Sequence, residues 1–272
     1  MMRLRWLDRT TLSVQMEELL PQTIIGMSPD EVFRLPLWVG NRRVPVGELF
    51  EVTSTDEECL TIEGDLRHLN GIGRKMATGS LVVRGNAGAH LGSGMSGGMI
   101  EVFGNVAEYA GSEMRGGFLK IAGSAGFGLG AAYDGSRIGM REGVILVQGA
   151  TGDDAGFKMR RGLIAVVGDV GSGFGRSMIA GSLFTFGKVG HFAGLGMKRG
   201  TIGLLGSGEP DLFPCFESTG CYRFPFLSIY LRRLATWGLP VSAEMFDTKF
   251  ARYNGDLSEG GRGEILIANS GH

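Results

Sequence analysis

Three cysteines (Cys59, Cys215 and Cys221) in 272 residues are too few and too scattered for a disulfide framework, so a reducing, cytoplasmic setting is expected. Eight prolines and no Gly-X-Y period exclude collagen and Pro/Gly-rich disorder. Lys and Arg total 27 against 28 Asp and Glu, a net charge of -1. The chain thus lacks the basic excess of a nucleic-acid-binding protein. No window approaches the roughly 18 consecutive apolar residues of a membrane span. Residues 1–18 lack the apolar core and small-residue cleavage site of a secretory leader.

Catalytic and metal motifs are missing too. There is no G-x-S-x-G elbow and no H-E-x-x-H. The four histidines, His68, His90, His191 and His272, form no close pair with one another or with Cys, so no metal-ligand spacing arises. His90 and His191 read as sharing one repeat position, several repeats apart. Cys215 and Cys221 flank an aromatic loop as C-x5-C without the further ligands that zinc or an iron–sulfur cluster needs, and read as structural. The carboxylates Glu63, Asp65, Glu101, Asp153 and Asp154 are scattered. No catalytic residue and no metal ligand is assigned.

What the chain has in excess is glycine, 48 residues, well over twice the usual share of about 7%. The glycines are periodic, and such a repeat governs the fold. Short apolar segments close on Gly64, Gly85, Gly104, Gly123, Gly149, Gly168, Gly187 and Gly206, at a spacing of 19 residues except for 21 at the first step and 26 at the fourth. Met76, Met95, Met114, Met140, Met159, Met178 and Met197 each precede a glycine by three residues. Four residues before each closing glycine stand Leu60, Leu81, Ile100, Leu119, Ile145, Ile164, Leu183 and Ile202, and two before it Ile62, Val83, Val102, Ile121, Val147, Val166, Thr185 and Leu204. This period-two alternation predicts a strand per repeat with one face buried. The intervening stretch is too short and too glycine-rich for a crossover helix. The expected fold is all-β, a right-handed parallel β-helix of about 19-residue coils over residues 59–206. The methionines should fill one corner of it.

Residues 1–58 and 207–272 depart from the repeat and are expected to cap the exposed strand edges. Ser28-Pro29-Asp30-Glu31 is a capping box opening a short helix. Residues 37–46 read as a hairpin turning at Gly40-Asn41, and Pro225 introduces an amphipathic helix expected to lie over the last coil. Residues 252–266 look strand-like again. The long fourth coil carries its extra length within residues 124–137, around Ala131-Ala132-Tyr133-Asp134-Gly135, as an outward loop of the kind that often marks a binding face. Gly92-Ser93-Gly94-Met95-Ser96-Gly97 matches a dinucleotide fingerprint literally. A strand rather than a helix should follow it, so it reads as a turn, as does Gly171-Ser172-Gly173-Phe174-Gly175. Directly after the methionines stand Arg115, Arg141, Arg160 with Arg161, and Lys198 with Arg199. In a stacked fold these make a basic edge whose like charges repel, a candidate docking strip for an acidic partner or a polyanionic cofactor tail.

The repeat, I/L-x-V/I-x-G then G-x-x-x-G then M-x-x-G, resembles two related groups. One is the C-terminal β-helical domain of the large subunit of glutamate synthase. The other is the C-type subunit of formylmethanofuran dehydrogenase and of the formyltransferase/hydrolase complex. The tail, with Phe213-Pro214-Cys215-Phe216, Phe226-Leu227, Arg252-Tyr253-Asn254-Gly255-Asp256-Leu257 and Gly263-Glu264-Ile265-Leu266, is similar to the formyltransferase/hydrolase branch. The resemblance implies a non-catalytic subunit in a hetero-oligomer with three others: the amidohydrolase-like A-type, the B-type and the formyltransferase D-type subunits. Such a complex passes formyl from tetrahydromethanopterin to methanofuran and releases formate, within formaldehyde oxidation. The carrier and the metal are then expected in the partners, with no cofactor bound here. The alternative is the C-type subunit of a tungsten- or molybdenum-dependent formylmethanofuran dehydrogenase. A hexapeptide-repeat acyltransferase fits the 19-residue period poorly, and a self-polymerising filament would need open ends.

Overall fold

The computed structural model describes residues 1–206 and 210–268. Before the repeats come β1 (Met2–Trp6), β2 (Val14–Gln15), α1 (Pro21–Ile24), α2 (Pro29–Arg34), β3 (Pro36–Val39), β4 (Arg42–Pro45), α3 (Val46–Leu49) and β5 (Phe50–Ser54). The repeats supply β6 (Leu60–Glu63), β7 (Leu69–Asn70), β8 (Ser80–Arg84), β9 (Met99–Val102), β10 (Arg115–Ile121), β11 (Glu142–Val147), β12 (Leu163–Val166), β13 (Ser182–Thr185) and β14 (Thr201–Leu204). After them come β15 (Ser218–Tyr222), α4 (Leu227–Thr236), β16 (Phe250–Asn254) and β17 (Glu264–Ala268). The protein is mostly β, built on a 13-stranded, mostly parallel sheet in which β6 and β8 to β14 lie in sequence order.

Each repeat strand pairs in parallel with the next, so like positions stack. Leu60, Leu81, Ile100, Leu119, Ile145, Ile164, Leu183 and Ile202 form one buried column. Ile62 through Leu204 form the second, where the hydroxyl of buried Thr185 is satisfied by donating to the Gly168 carbonyl at 3.2 Å. Single bridges from Leu66↔Ala87 to Val170↔Val189 repeat the stacking on another side. The seven ladder methionines are buried, and each sends its Cε beneath the M-x-x-G glycine of the following repeat. At Gly98 an added Cβ would lie 2.6 Å from both the Met76 Cε and the Gly79 carbonyl oxygen, and its φ of 77° suits glycine besides. This close approach explains why methionine and glycine recur together.

The two ends continue the sheet. β1 pairs in parallel with β6, setting Leu4 beside Ile62, and in antiparallel with β5. At the far end β17 pairs in parallel with β14, setting Ile265 beside Ile202, and β16 and β15 follow in antiparallel. Gly263 fills the M-x-x-G position there, where a Cβ would stand 2.4 Å from Met197 Cε. Buried Asp256 locks the tail on, accepting from the Gly196 N–H at 2.7 Å and the Ser258 N–H at 2.8 Å. Burial pushes its carboxyl up, but the hydrogen bonds from Ser258, Gly196 and Cys215 together hold it below the usual carboxylate range. The Ser28 capping box and the hairpin at Gly40-Asn41 form as expected.

The amphipathic helix is placed differently from expectation. α4 buries Leu227, Leu231 and Leu234 in one cluster with Leu146, Leu163, Ala165 and Phe184 on the outer face of β11 to β13, a cluster that continues through Leu205, Phe250 and Leu266, so the helix lies along the side of the sheet rather than across its end. The reason is visible along that face. It carries the Lys120–Glu101 pair at 2.8 Å on β10 and β9, admits only Phe118 of β10 against Trp237 at 5.6 Å between centroids, and is apolar from β11 onward. The last strand edge is already taken by β17.

Candidate functional site

The stacking register holds through Ala132, whose N–H reaches the Phe157 carbonyl, and resumes at Met140. The extra residues are therefore 133–139. They do not simply project outward: Tyr133 turns back across two repeats. Its hydroxyl lies 2.7 Å from Ser93 Oγ and 2.9 Å from His90 Nδ1. Its ring packs on Tyr109 with centroids 5.0 Å apart, and Tyr109 stacks on His90 at 5.7 Å. Burial, then the positive charge of Arg74, holds the His90 imidazole below its usual range, with Glu108 and Glu17 partly offsetting. Burial raises the Tyr133 phenol, opposed by the Ser93 hydrogen bond. Both shifts favour the neutral forms, because burial disfavours charge on either ring.

Under this hook lies a cleft of about 360 Å3 lined by Arg74, Lys75, Ser93, Gly94, Ser96, Glu113, Arg115 and Tyr133. Arg74 is ion-paired with Glu17. The lining is cationic with one carboxylate. It is drawn from three successive repeats and an insertion, which is why no contiguous motif announces it. The signal available in sequence was the interrupted period. The anchoring role of Tyr133 gives an expected result: Tyr133→Ala should keep the fold but free the loop, so that trypsin cuts at exposed Arg137 several-fold faster. An unchanged cleavage rate would mean the loop is held by something else.

The basic residues stand where their register put them. The N–H groups of Arg115, Arg141, Arg160 and Lys198 each donate to the methionine carbonyl of the preceding repeat, so the four lie on one line, interrupted by Ile179. All six candidates, including Arg161 and Arg199, are exposed. Lys198 meets Glu259 of the tail at 3.6 Å, so its charge is partly answered within the chain. Arg115, Arg141, Arg160 and Arg161 have no ion-pair partner among the described residues.

The histidines separate. His90 shares its repeat position and its left-handed backbone, φ 64°, with Phe192 rather than with His191, which sits one residue earlier. The shared-position reading is thus corrected. His90 is also part of the aromatic cluster rather than a plain turn residue. His191 lies 3.1 Å from Asp211 at the surface, and His68 is exposed. His272 lies outside the described residues. Among the described residues no three His, Cys, Asp or Glu side chains gather as a metal site would require. The Gly92–Gly97 motif forms turns and is followed by β9, not a helix. Among the described residues no helix is long and apolar enough to cross a membrane.

No protein-family model matches the chain. A chain in the crystal structure of the formyltransferase/hydrolase complex (FhcABCD) from Methylorubrum extorquens, solved with methylofuran, is 31% identical. It superposes with a TM-score of 0.89 over 97% of this chain and 98% of that one. The C-type subunit of molybdenum-containing formylmethanofuran dehydrogenase 1 from Methanosarcina barkeri is 36% identical over 85 residues, 29% of this chain and 28% of its own length. The C-type subunit of tungsten-containing formylmethanofuran dehydrogenase 2 from Methanococcus maripaludis is 34% identical over 83 residues, 30% of either chain. The matches to these curated relatives thus span under a third of their length.

Proposed function

The chain belongs to the family of C-type subunits shared by formyltransferase/hydrolase complexes and formylmethanofuran dehydrogenases, and on that premise we propose that it is the non-catalytic scaffold of a formyltransferase/hydrolase complex. Its stack is read as a right-handed parallel β-helix over residues 59–206, capped by residues 1–58 and 207–272. In this reading the A-type, B-type and D-type subunits carry the chemistry: formyl moves from formyl-tetrahydromethanopterin to a methanofuran-type carrier, and formate is released. The carrier and the metal belong to those partners. The observation that carries the hydrolytic reading is the end-to-end likeness to the complex from Methylorubrum extorquens, tail included. The second reading, a tungsten- or molybdenum-dependent dehydrogenase, is supported by curated relatives that match over a shorter stretch.

The basic edge of Arg115, Arg141, Arg160, Arg161, Lys198 and Arg199 is proposed as the docking strip. Like charges at strand spacing repel, and an acidic partner surface or polyanionic tail turns that repulsion into attraction. Affinity capture from the native host, followed by mass spectrometry, should return a formyltransferase and an amidohydrolase-like subunit. Recovery of a metallopterin subunit with iron–sulfur proteins would favour the dehydrogenase instead. The chain alone should show no formyl transfer or hydrolysis. In the co-expressed complex, Arg141→Glu with Arg160→Glu should leave the fold intact, since exposed substitutions are usually worth within about 0.5 kcal/mol. It should weaken co-elution, most at low salt, where screening is least. Assembly unchanged across the salt series would return these residues to an ordinary solvated edge.

A further inference from the structure

A second turn of the stack carries aromatic rings and carboxylates, where the edge described above carries cations. Glu108, Phe127 and Asp153 occupy one position in three successive repeats: their carbonyls accept from the N–H groups of His90, Tyr109 and Gly128 in turn. They therefore follow one another at strand spacing, about 4.8 Å, and all three are exposed. Phe127 is 39% exposed, and its ring meets that of Tyr109 edge to face at 5.4 Å. Burial first, then Asp134, Tyr133, Asp154 and Glu108, hold the Tyr109 phenol above its usual range, which gathers these carboxylates around the same rings. Glu108, Asp134 and Asp153 have no ion-pair partner among the described residues.

A little further along the turn the chain completes such a set by itself. The Arg176 guanidinium lies 4.4 Å from the centroid of the Phe157 ring and pairs with Asp154 at 2.6 Å, and Lys158 Nζ stands 4.9 Å from the same centroid. Ring, carboxylate and cation all come from this chain there. At Phe127 the ring and two flanking carboxylates are present, and among the described residues no cation of the chain accompanies them. We propose that Phe127, between Glu108 and Asp153, is a docking point for an arginine side chain presented by a partner protein. A guanidinium lies flat on the ring while its fork of N–H groups donates to the carboxylates on either side, as Arg176 does at Phe157. Exposed ion pairs and cation–π contacts are weak alone, so a free cation is not retained; a protein surface that closes over the ring excludes water and strengthens both. The inference rests on the chain's place in a hetero-oligomer, not on which reaction that complex performs. It gives the two turns partners of opposite charge.

The test is competition during assembly. Wild-type and variant chains, tagged differently, are co-expressed with the partner subunits, and their ratio in the purified complex is read by mass spectrometry. Phe127→Leu keeps the apolar bulk without a π face, and should be outcompeted about tenfold, the effect of losing one buried anchor. Phe127→Tyr keeps the face and should compete with wild type. Glu108→Gln with Asp153→Asn should also lose about tenfold; asparagine retains the oxygen that accepts from the Ser172 N–H at 2.7 Å. Each variant alone should melt with wild type, since the substituted side chains are exposed. Photoreactive benzoylphenylalanine in place of Phe127 should cross-link, within the purified complex, to another subunit beside an arginine. Equal incorporation of Phe127→Leu overturns the proposal. So does an adduct on a peptide without arginine, on a second copy of this chain, or no adduct at all. A wild-type chain that enters no complex overturns the hetero-oligomer reading itself, and this docking point with it.

Discussion

Val102→Asp is expected to leave the chain unfolded or insoluble, while Glu101→Ala, one residue away, should melt within a few degrees of wild type. Val102 is fully buried and stacks between Val83 and Ile121. Replacing it removes about 2 kcal/mol of apolar burial and puts a carboxylate into a column with no donor, a further several kcal/mol. Together these approach the roughly 5–15 kcal/mol by which a domain is stable at all. Glu101 faces outward, and its Lys120 pair is a partly exposed ion pair worth on the order of 1 kcal/mol or less. Thermal unfolding followed by circular dichroism distinguishes them, and wild-type melting of Val102→Asp would falsify the inward register.

Gly85→Ala should be the other severe lesion. A Cβ at Gly85 would stand 1.9 Å from the carbonyl oxygen of Gly64, a backbone atom of the preceding repeat, and the φ of 145° already excludes comfortable alanine geometry. Nothing flexible can give way, so two repeats must part. We expect a loss on the order of 3 kcal/mol. Gly135→Ala is the control: its φ is 80°, but no atom lies within 4 Å of the added carbon, so only backbone strain of about 1 kcal/mol remains. Equal melting of the two variants would show that conformation, not the close stacking of closing glycines, governs the site.

The repeat strands and their inward columns were legible because a stacked fold writes the same constraint once per repeat, and Met76-x-x-Gly79 and its successors record a contact with the neighbouring repeat. The return of the tail was legible at Gly263 and Ile265 for the same reason. The position of α4 was not. Its leucines declare an apolar face without saying which surface it covers, and that answer lay in the change from Glu101 and Lys120 to Leu146, Ala165 and Phe184 on alternate strand residues. β1 alternates Met2, Leu4 and Trp6 with Arg3 and Arg5, a strand pattern too short to stand out beside the repeats. The cleft was the least legible, since it depends on Tyr133 folding back onto Ser93, a contact between residues 40 positions apart.

The in-order stacking also sets a timetable for synthesis. A growing chain of this kind needs only its latest completed repeat as template, so each strand can settle as it leaves the ribosome, beginning with β6 against a β1 already made. The rule fails at the end. β14 meets β13 as it emerges, but its other edge stays open until β17 arrives. Asp256 likewise grips Gly196 only across 60 positions of sequence. Closing such a loop is slower than adding a repeat. The interval in which β14 waits is therefore the period of greatest exposure to aggregation, and ribosome pausing or truncation between residues 206 and 264 would release chains that are fully stacked yet unsealed.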